Sequence, residues 1–227
     1  SAISGTGSLT KNGNGTLILS GASSYSGPTV VNAGTLLLNG CISGGGTLSS
    51  ASGTLLGGAG TNSGLVQVAG QLTPGTSAGT LTAGGLNLQS GATVTFELGS
   101  STTVGAGVND LIQVNGNLTL NNNAVSISLL GVPQTGVPYR LINYTGARTG
   151  TLDPTVIIIG GGRFSAALDY STTNQVNLVF SGAVASLKWT SDGSFSSRWD
   201  VGVSTNWLNT GSSLPDVFFL GDNVLFD

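Results

Sequence analysis

Short apolar runs, each closed by a turn signal, constrain the fold of this chain more than any other feature of its sequence. Within residues 5–39 the runs are Leu17-Ile18-Leu19, Val30-Val31 and Leu36-Leu37-Leu38. Glycine, asparagine and proline separate them, as in Asn12-Gly13 and Gly27-Pro28. Runs this short and this aliphatic favour strands over helices. One such unit cannot bury its own apolar face, whereas stacked units can, so the pattern predicts a solenoid.

The tripeptide Gly-Thr-Leu recurs along the first part of the chain at irregular intervals. It begins at Gly15, Gly34, Gly46, Gly53 and Gly79. We interpret the recurrence as successive coils in which glycine turns a corner and leucine points inward. Residues 94–98 and 125–129 alternate apolar and polar side chains, which is typical of strands with one face inward. The sequence therefore predicts an all-β parallel solenoid of about eight to ten coils.

Residues 11–36 read K-N-G-N-G-T-L-x-L-S-G-x-x-x-Y-x-G-x-T-x-V-x-x-G-T-L, which closely resembles the autotransporter-associated β-strand repeat of bacterial passenger domains. Residues 74–81 and 139–146 also resemble segments common in such passengers, P-G-x-S-x-G-T-L and Y-x-L-I-x-Y-x-G. The resemblance implies a right-handed parallel β-helix that is exported to the cell surface or beyond it. The chain shows no charged segment followed by an apolar one at its start, so we expect any signal peptide to have been removed or to lie outside it.

The composition excludes several classes of function. Charged residues make up 7% of the chain, and six Lys and Arg residues leave a net charge of −3. Nucleic-acid binding and electrostatic anchoring to a membrane both require a basic patch, so neither function is expected of this chain. No apolar run approaches the roughly 18 residues of a membrane-spanning helix. A hydrophobic content of 39% is too high for a disordered chain.

The absence of histidine removes imidazole bases, Ser-His-Asp triads and most zinc sites. Cys41 has no intrachain partner for a disulfide, so we expect a small buried side chain, with a disulfide to another copy as the alternative.

Carboxylates could still serve a glycan-cleaving β-helix, and the candidates are Glu97, Asp110, Asp153 and Asp169. No Lys or Arg cluster accompanies them, so structural or solvated roles are favoured. Residues 57–62 have the glycines of a calcium turn but asparagine in place of aspartate. Asp216, Asp222 and Asp227 could form one cation site, although turn capping is the favoured role. We therefore predict no catalytic residue, no cofactor and no metal.

The composition changes near residue 187. All three tryptophans, Trp189, Trp199 and Trp207, lie in residues 187–227. This segment resembles a W…W-D…N-W…G-D-x-V-x-F module that precedes the next block of coils in long bacterial surface proteins. We expect a solenoid over residues 1–182 and a small Trp-rich β-module over residues 187–227. The tryptophans are candidate contacts for a partner or glycan, but a small hydrophobic core is the favoured explanation.

We predict an extracellular structural repeat that stacks head to tail with other copies of itself into a fibre or surface layer. The first alternative is an adhesin stalk or module that binds extracellular glycans through the Trp-rich segment. The remote alternative is a glycan-cleaving enzyme. Nucleic acid and membrane insertion are not expected.

Overall fold

The computed structural model of the protein describes residues 2–105, 107–160, 162–190 and 200–226, and every regular element in these ranges is a β-strand. These ranges contain no helix that could cross a membrane. Strands distant in sequence lie side by side, and most pairs are parallel. Parallel neighbours without crossover helices require a chain that winds in stacked coils. The prediction of an all-β parallel solenoid is confirmed.

Each coil contributes one short strand to each of three faces. The first face contains β1 (Leu9–Lys11), β4 (Thr29–Val31), β7 (Leu48–Ser50), the second halves of β9 (Thr61–Val68) and β11 (Thr80–Leu88), β14 (Leu118–Thr119) and β17 (Arg148–Thr149). The second face contains β2 (Thr16–Leu19), β5 (Thr35–Leu38), β8 (Leu55–Gly58), β10 (Gln71–Pro74), β12 (Thr93–Leu98), β15 (Asn123–Leu129) and β18 (Leu152–Ile159). The third face contains β3 (Ala22–Ser23), β6 (Cys41–Ile42), the first halves of β9 and β11, β13 (Leu111–Val114), β16 (Pro138–Tyr144), β20 (Gln175–Gly182) and β19 (Phe164–Asp169).

The strands β9 and β11 each continue from the third face of one coil onto the first face of the next. The first and third faces therefore form one 13-stranded sheet, and the second face is a separate 7-stranded sheet. The core lies between the faces and is filled by the inward side chain of every second residue.

A column of aliphatic side chains runs through the core along the second face, with one residue from each coil. In order of pairing it consists of Leu17, Leu36, Leu56, Leu72, Val94, Val125 and Val156. The five central members are fully buried, whereas Leu17 and Val156 at the two ends are half-buried. Each aliphatic side chain therefore covers the one in the preceding coil.

Glycine sits at corners where the backbones of adjacent coils approach closely. Gly34 has φ +71°, and a Cβ there would lie 2.5 Å from the carbonyl oxygen of Gly15. A Cβ on Gly46 would lie 2.2 Å from the carbonyl oxygen of Gly27. No side chain fits at these distances, so the predicted role of glycine in the Gly-Thr-Leu tripeptides is confirmed at these two positions.

The leucines of these tripeptides follow the prediction with one exception. Leu36, Leu48 and Leu81 are buried, as expected. At Gly53-Thr54-Leu55 the inward residue is instead the next one, because Leu56 pairs with Leu36 and Leu55 pairs with Thr35. A shift of one residue reverses the face to which a strand side chain points.

The seven coils of the second face are fewer than the expected eight to ten, because the later coils are longer. Asn32 donates a hydrogen bond to Asn12 one coil away, across 20 residues, whereas Asn143 donates to Gln113 across 30 residues. The extra residues form loops outside the faces. Asn109 supports one of them by donating to the carbonyl oxygens of Ser101 and Thr103 at 2.6 and 2.7 Å.

The solenoid ends in an antiparallel hairpin. The strand β20 pairs with β16 and with β19, in both cases antiparallel. The ring of Tyr139 packs edge-on against Phe180 with centroids 5.2 Å apart, and both residues are buried. Beyond the hairpin a small four-stranded sheet contains β21 (Ser186–Trp189), β22 (Trp207–Asn209), β23 (Leu214–Asp216) and β24 (Asn223–Leu225), in the order β23-β22-β21-β24. We call this sheet with its loops the terminal module.

The burial of the aliphatic column leads to a prediction about the stability of the protein. The substitution Leu56→Ala is expected to destabilise the protein by about 2–5 kcal/mol, because it leaves a cavity between two neighbouring buried coils. Urea denaturation followed by circular dichroism measures the change. The control Thr93→Ala shortens an exposed side chain on an inner strand of the same face and is expected to change stability by less than about 0.5 kcal/mol. Equal effects of the two substitutions would contradict the account of the core.

Candidate functional site

The last coil covers its inward apolar side chains less completely than the coils before it. Val156 and Ile158 point inward from β18 but are only half-buried, whereas the inward residues Phe96 and Ile127 of the two preceding coils are completely buried. The outward side chain of Ile157 is 54% exposed. Among the described residues no strand pairs with the outer edge of β18. This edge can accept backbone hydrogen bonds and apolar contacts together.

The first coil is open in a similar way. Leu17 points inward from β2 and is half-buried, and the outward side chain of Ile18 is 55% exposed. The buried Lys11 occupies the corner of this coil, where its ammonium group donates to the carbonyl oxygens of Gly13 and Ala33. The single charge of the first 96 residues is thus used to satisfy backbone acceptors at a turn.

An arginine fastens the terminal module to the end of the solenoid. Arg163, in the turn between β18 and β19, donates from Nε to both carboxylate oxygens of Asp222 at 2.6 and 2.8 Å. Its Nη2 donates to the carbonyl oxygen of Val217 at 2.7 Å, and its Nη1 lies 3.2 Å from Oδ2 of Asp216. The guanidinium group also lies over the ring of Phe219, 5.1 Å from its centroid. Burial alone would lower the pKa of Arg163, but the hydrogen bonds to the two aspartates outweigh it and raise the pKa.

The aspartates considered for a cation site serve this junction instead. The side chain of Asp222 is almost completely buried and also accepts hydrogen bonds from the backbone N–H groups of Ala185 and Phe219, at 2.8 and 2.9 Å. Asp216 accepts a hydrogen bond from the side chain of Asn209 at 2.9 Å. Asp227 lies outside the described residues. Turn capping and pairing with Arg163 occupy the carboxylates of Asp216 and Asp222.

The two described tryptophans differ in how deeply they are buried. Trp207 is 1% exposed and forms the centre of a small core with Leu187 and Phe218. Trp189 is half-buried and meets Trp207 edge-on, with ring centroids 4.9 Å apart. Trp199 lies outside the described residues. The ring of Trp207 is therefore enclosed in the module, and Trp189 is the described tryptophan that reaches the surface.

The fold brings two of the four candidate carboxylates together. The buried Asp110 accepts hydrogen bonds from the backbone N–H of Gly79 at 2.8 Å and from the backbone N–H of Glu97 at 2.7 Å. Asp153 lies near the start of β18 and Asp169 at the end of β19, and each accepts a hydrogen bond from the backbone N–H two residues ahead. Both oxygens of Asp110 are thus used to tie a loop to the second face.

The environment of Asp110 changes its acidity. Burial raises the pKa of Asp110 to about 7, and the nearby charge of Glu97 adds to this effect. The two backbone N–H bonds oppose the rise but do not cancel it. Since both carboxyl oxygens are engaged by the backbone, this arrangement has a structural role in the described coils.

Reasoning from the sequence did not identify the importance of Arg163 or Asn109. Arg163 lies 59 residues from Asp222, and nothing local marks the pairing. Asn109 directly precedes Asp110, and the Asn-Asp dipeptide just before β13 was a usable signal. Its Oδ1 accepts the backbone N–H of Gly99 at 2.7 Å.

Comparison with known proteins supports an exported passenger. Residues 9–38 match the model of the passenger-associated-transport-repeat, and this range includes the stretch 11–36 on which the resemblance was based. The chain is also 42% identical over 151 residues to the adhesin BmaC autotransporter of Brucella suis biovar 1. That match covers 64% of this chain and spans 4% of the length of the relative. The predicted resemblance to autotransporter passengers is confirmed, and the location is the cell surface or the extracellular space.

The junction with the terminal module can be tested at Arg163. The substitution Arg163→Ala leaves the buried carboxylate of Asp222 without its counter-charge, which is expected to destabilise the module by about 3 kcal/mol. Because all three tryptophans lie in residues 187–227, their fluorescence during urea denaturation reports on this segment. The control Arg148→Ala, in β17, is expected to leave the fluorescence transition unchanged. An unchanged transition in Arg163→Ala would contradict the assigned role.

The raised pKa of Asp110 predicts a pH dependence of stability. Between about pH 4 and about pH 7 the folded protein keeps this proton, whereas the unfolded chain, with the ordinary pKa of 3.8, has lost it. The stabilisation is therefore complete below about pH 4 and is lost as the pH rises through about 7. We expect the urea midpoint of the wild type to fall over this window and that of Asp110→Asn to fall less. The control Asn109→Ala removes loop contacts without removing a titrating group, so it should lower stability and keep the wild-type dependence of the urea midpoint on pH. If Asp110→Asn also keeps the wild-type dependence, the pH effect does not come from Asp110.

Proposed function

We propose that this segment of an autotransporter-type passenger is a structural unit of a bacterial surface adhesin. Its parallel coils form a stiff stalk, and neighbouring units join head to tail into an elongated fibre or surface layer. The observation that supports this most is the aliphatic column, which continues from Leu17 to Val156 and is half-exposed at both ends. A column of this kind can be extended by another coil without changing its chemistry.

The dimensions and the composition suit a stalk. At about 4.8 Å per layer, seven coils give a rod of about 30 Å. Most backbone groups in the coils are paired between layers, which limits access by proteases. Serine, threonine and glutamine occupy many outward positions of the coils, for example Ser49, Gln67 and Thr95, so the rod needs few charges to remain hydrated.

We further propose two units, a solenoid over residues 1–182 and a module over residues 187–227 that links to the next unit or subunit. The four-stranded sheet of the module is separate from both sheets of the solenoid. Arg163 fixes the module beside the last coil through Asp222 and Asp216. The link would thus set the direction in which the following unit continues.

Sedimentation and electron microscopy of the purified chain test the fibre. We expect end-to-end association that increases with concentration and yields rods in multiples of about 30 Å. The substitution Ile158→Lys places a charge on the open core and is expected to abolish the association. The control Ser126→Lys changes an outward residue within the solenoid and should have no effect. Globular monomers of the wild type at all concentrations would contradict the proposed assembly.

An adhesin module that binds glycans is the second candidate, and the position of Trp189 favours it. Its half-buried ring lies 6.2 Å from the ring of Phe226, which is 54% exposed. Aromatic faces at a surface can stack on sugar rings. The relative from Brucella suis is named an adhesin.

A glycan array tests this second candidate. Binding by the wild type that is lost in Trp189→Ala would support it, and the same array can examine Trp199→Ala. The control Leu225→Ala removes an exposed side chain from the same sheet and should retain binding. No binding by the wild type would leave the structural role alone.

A further inference from the structure

A cleft of about 470 Å³ crosses the outer surface of the second face. It is lined by residues of six neighbouring strands, from β5 to β18, and by the loop that follows β10. Six strands about 4.8 Å apart extend over about 24 Å, which is the length of about seven residues of extended chain. The cleft is therefore long and narrow, and its shape suits a linear ligand better than a compact one.

Most of the exposed lining of this cleft is apolar. Leu37 and Leu55 are half-buried and lie towards one end, and Ile159, which is 55% exposed, lies at the other. The hydroxyl-bearing residues Thr73 and Thr95 lie between them. Apolar side chains that stay accessible along a cleft indicate contact with the apolar groups of a partner.

Backbone hydrogen bonds hold the rim of the cleft in place. The N–H of Gly75 donates to the carbonyl oxygen of Gly58 at 2.9 Å, and the N–H of Gly58 donates to that of Gly75 at 3.1 Å. Asp110 then ties Gly79, at the end of the same loop, to Glu97 on β12. The cleft is thus formed before a ligand binds, which lowers the entropic cost of binding.

Glu97 places a carboxylate in this cleft. It is the single glutamate of the chain, and its half-buried side chain points outward from β12. In the part of the chain that the structure describes, this carboxylate has no hydrogen bond and no ion pair, and no lysine or arginine lines the cleft. The carboxyl group of Asp110 lies nearby but is engaged by backbone N–H groups. A carboxylate that is partly withdrawn from water and lacks a partner favours a cationic ligand.

We propose that this cleft binds an extended segment of a partner protein, and that a lysine or arginine side chain of the segment pairs with Glu97. Apolar side chains on either side of this cation contact Leu37 and Leu55 towards one end of the cleft and Ile159 at the other. Lysine and arginine suit the site because their aliphatic stems can lie along apolar walls while the charged group reaches the carboxylate.

The charge of the cleft decides between classes of partner. Acidic glycans and nucleic acid are repelled by Glu97, and a neutral glycan would leave its carboxylate without a counter-charge. A basic protein segment satisfies both the carboxylate and the apolar walls. This site is separate from Trp189 and does not depend on head-to-tail assembly.

A peptide array tests the class of ligand. The peptides have about seven residues, with a central lysine, arginine, glutamine or glutamate between all pairs of neighbours drawn from valine, leucine, isoleucine and phenylalanine. The purified chain carries a fluorescent label at its amino terminus. We expect it to bind peptides with a central lysine or arginine and not those with glutamine or glutamate between the same neighbours.

Two pairs of variants test the role of Glu97, with fluorescence anisotropy of the best lysine peptide as the measurement. Glu97→Gln keeps the shape of the side chain and is expected to weaken binding at least about tenfold, because a hydrogen bond to a charged group is lost. The control Asp153→Asn removes the same charge outside the cleft and should bind as the wild type does. Thr95→Lys places a competing cation on the same face of β12 and should abolish binding, whereas Gln67→Lys adds that charge on the first face and should not.

Unchanged binding in Glu97→Gln and Thr95→Lys, or equal binding of lysine-centred and glutamine-centred peptides, would overturn the proposal. So would a wild-type chain that binds no peptide with a central lysine or arginine, or that binds neutral glycans alone. Selective binding that is lost in Glu97→Gln supports it. Trp189→Ala should retain peptide binding, so a failure of this site and a failure of the glycan site can be told apart.

Discussion

The stacking of inward aliphatic side chains from coil to coil is the interaction on which the rest of this structure depends. A single coil of about 20 residues has three short strands and cannot bury its own apolar side chains. The column from Leu17 to Val156 shows the solution, because each residue is covered by those of the adjacent coils. Backbone hydrogen bonds between the same coils fix the spacing, and glycine permits the close corners.

The same interaction explains why the ends of the solenoid differ from its middle. An inner coil has two neighbours, whereas an end coil has one, so Val156 and Ile158 are half-buried although their chemistry is that of the core. The strand β19 packs Phe164, Ala166 and Leu168 against this end of the core, and the second face stays partly exposed. Arg163 then fastens the terminal module beside the open second face. A stalk that continues from unit to unit needs both an open face and a fixed direction.

The coils could be predicted because their strands and corners follow local sequence patterns. Contacts between residues far apart in the sequence could not be predicted, because no local pattern marks them. The stretch 11–36 predicted strands, corners and a passenger-type solenoid because its glycines and leucines are set by the nearest coils. The inward position of Leu56 instead of Leu55 could not be predicted, because a two-leucine run fits either register. Arg163 was missed because its partners lie in the terminal module. Trp207 lies in a small core of the kind that the sequence favoured, where it packs with Leu187 and Phe218.

The most direct test of a continuous coil-to-coil ladder is the layer spacing within assembled rods, measured by cryo-electron microscopy or fibre diffraction. We expect one repeat of about 4.8 Å along the rod axis that passes through the joints between units. Rods in which this repeat is interrupted at each joint, or units that associate side by side, would contradict it.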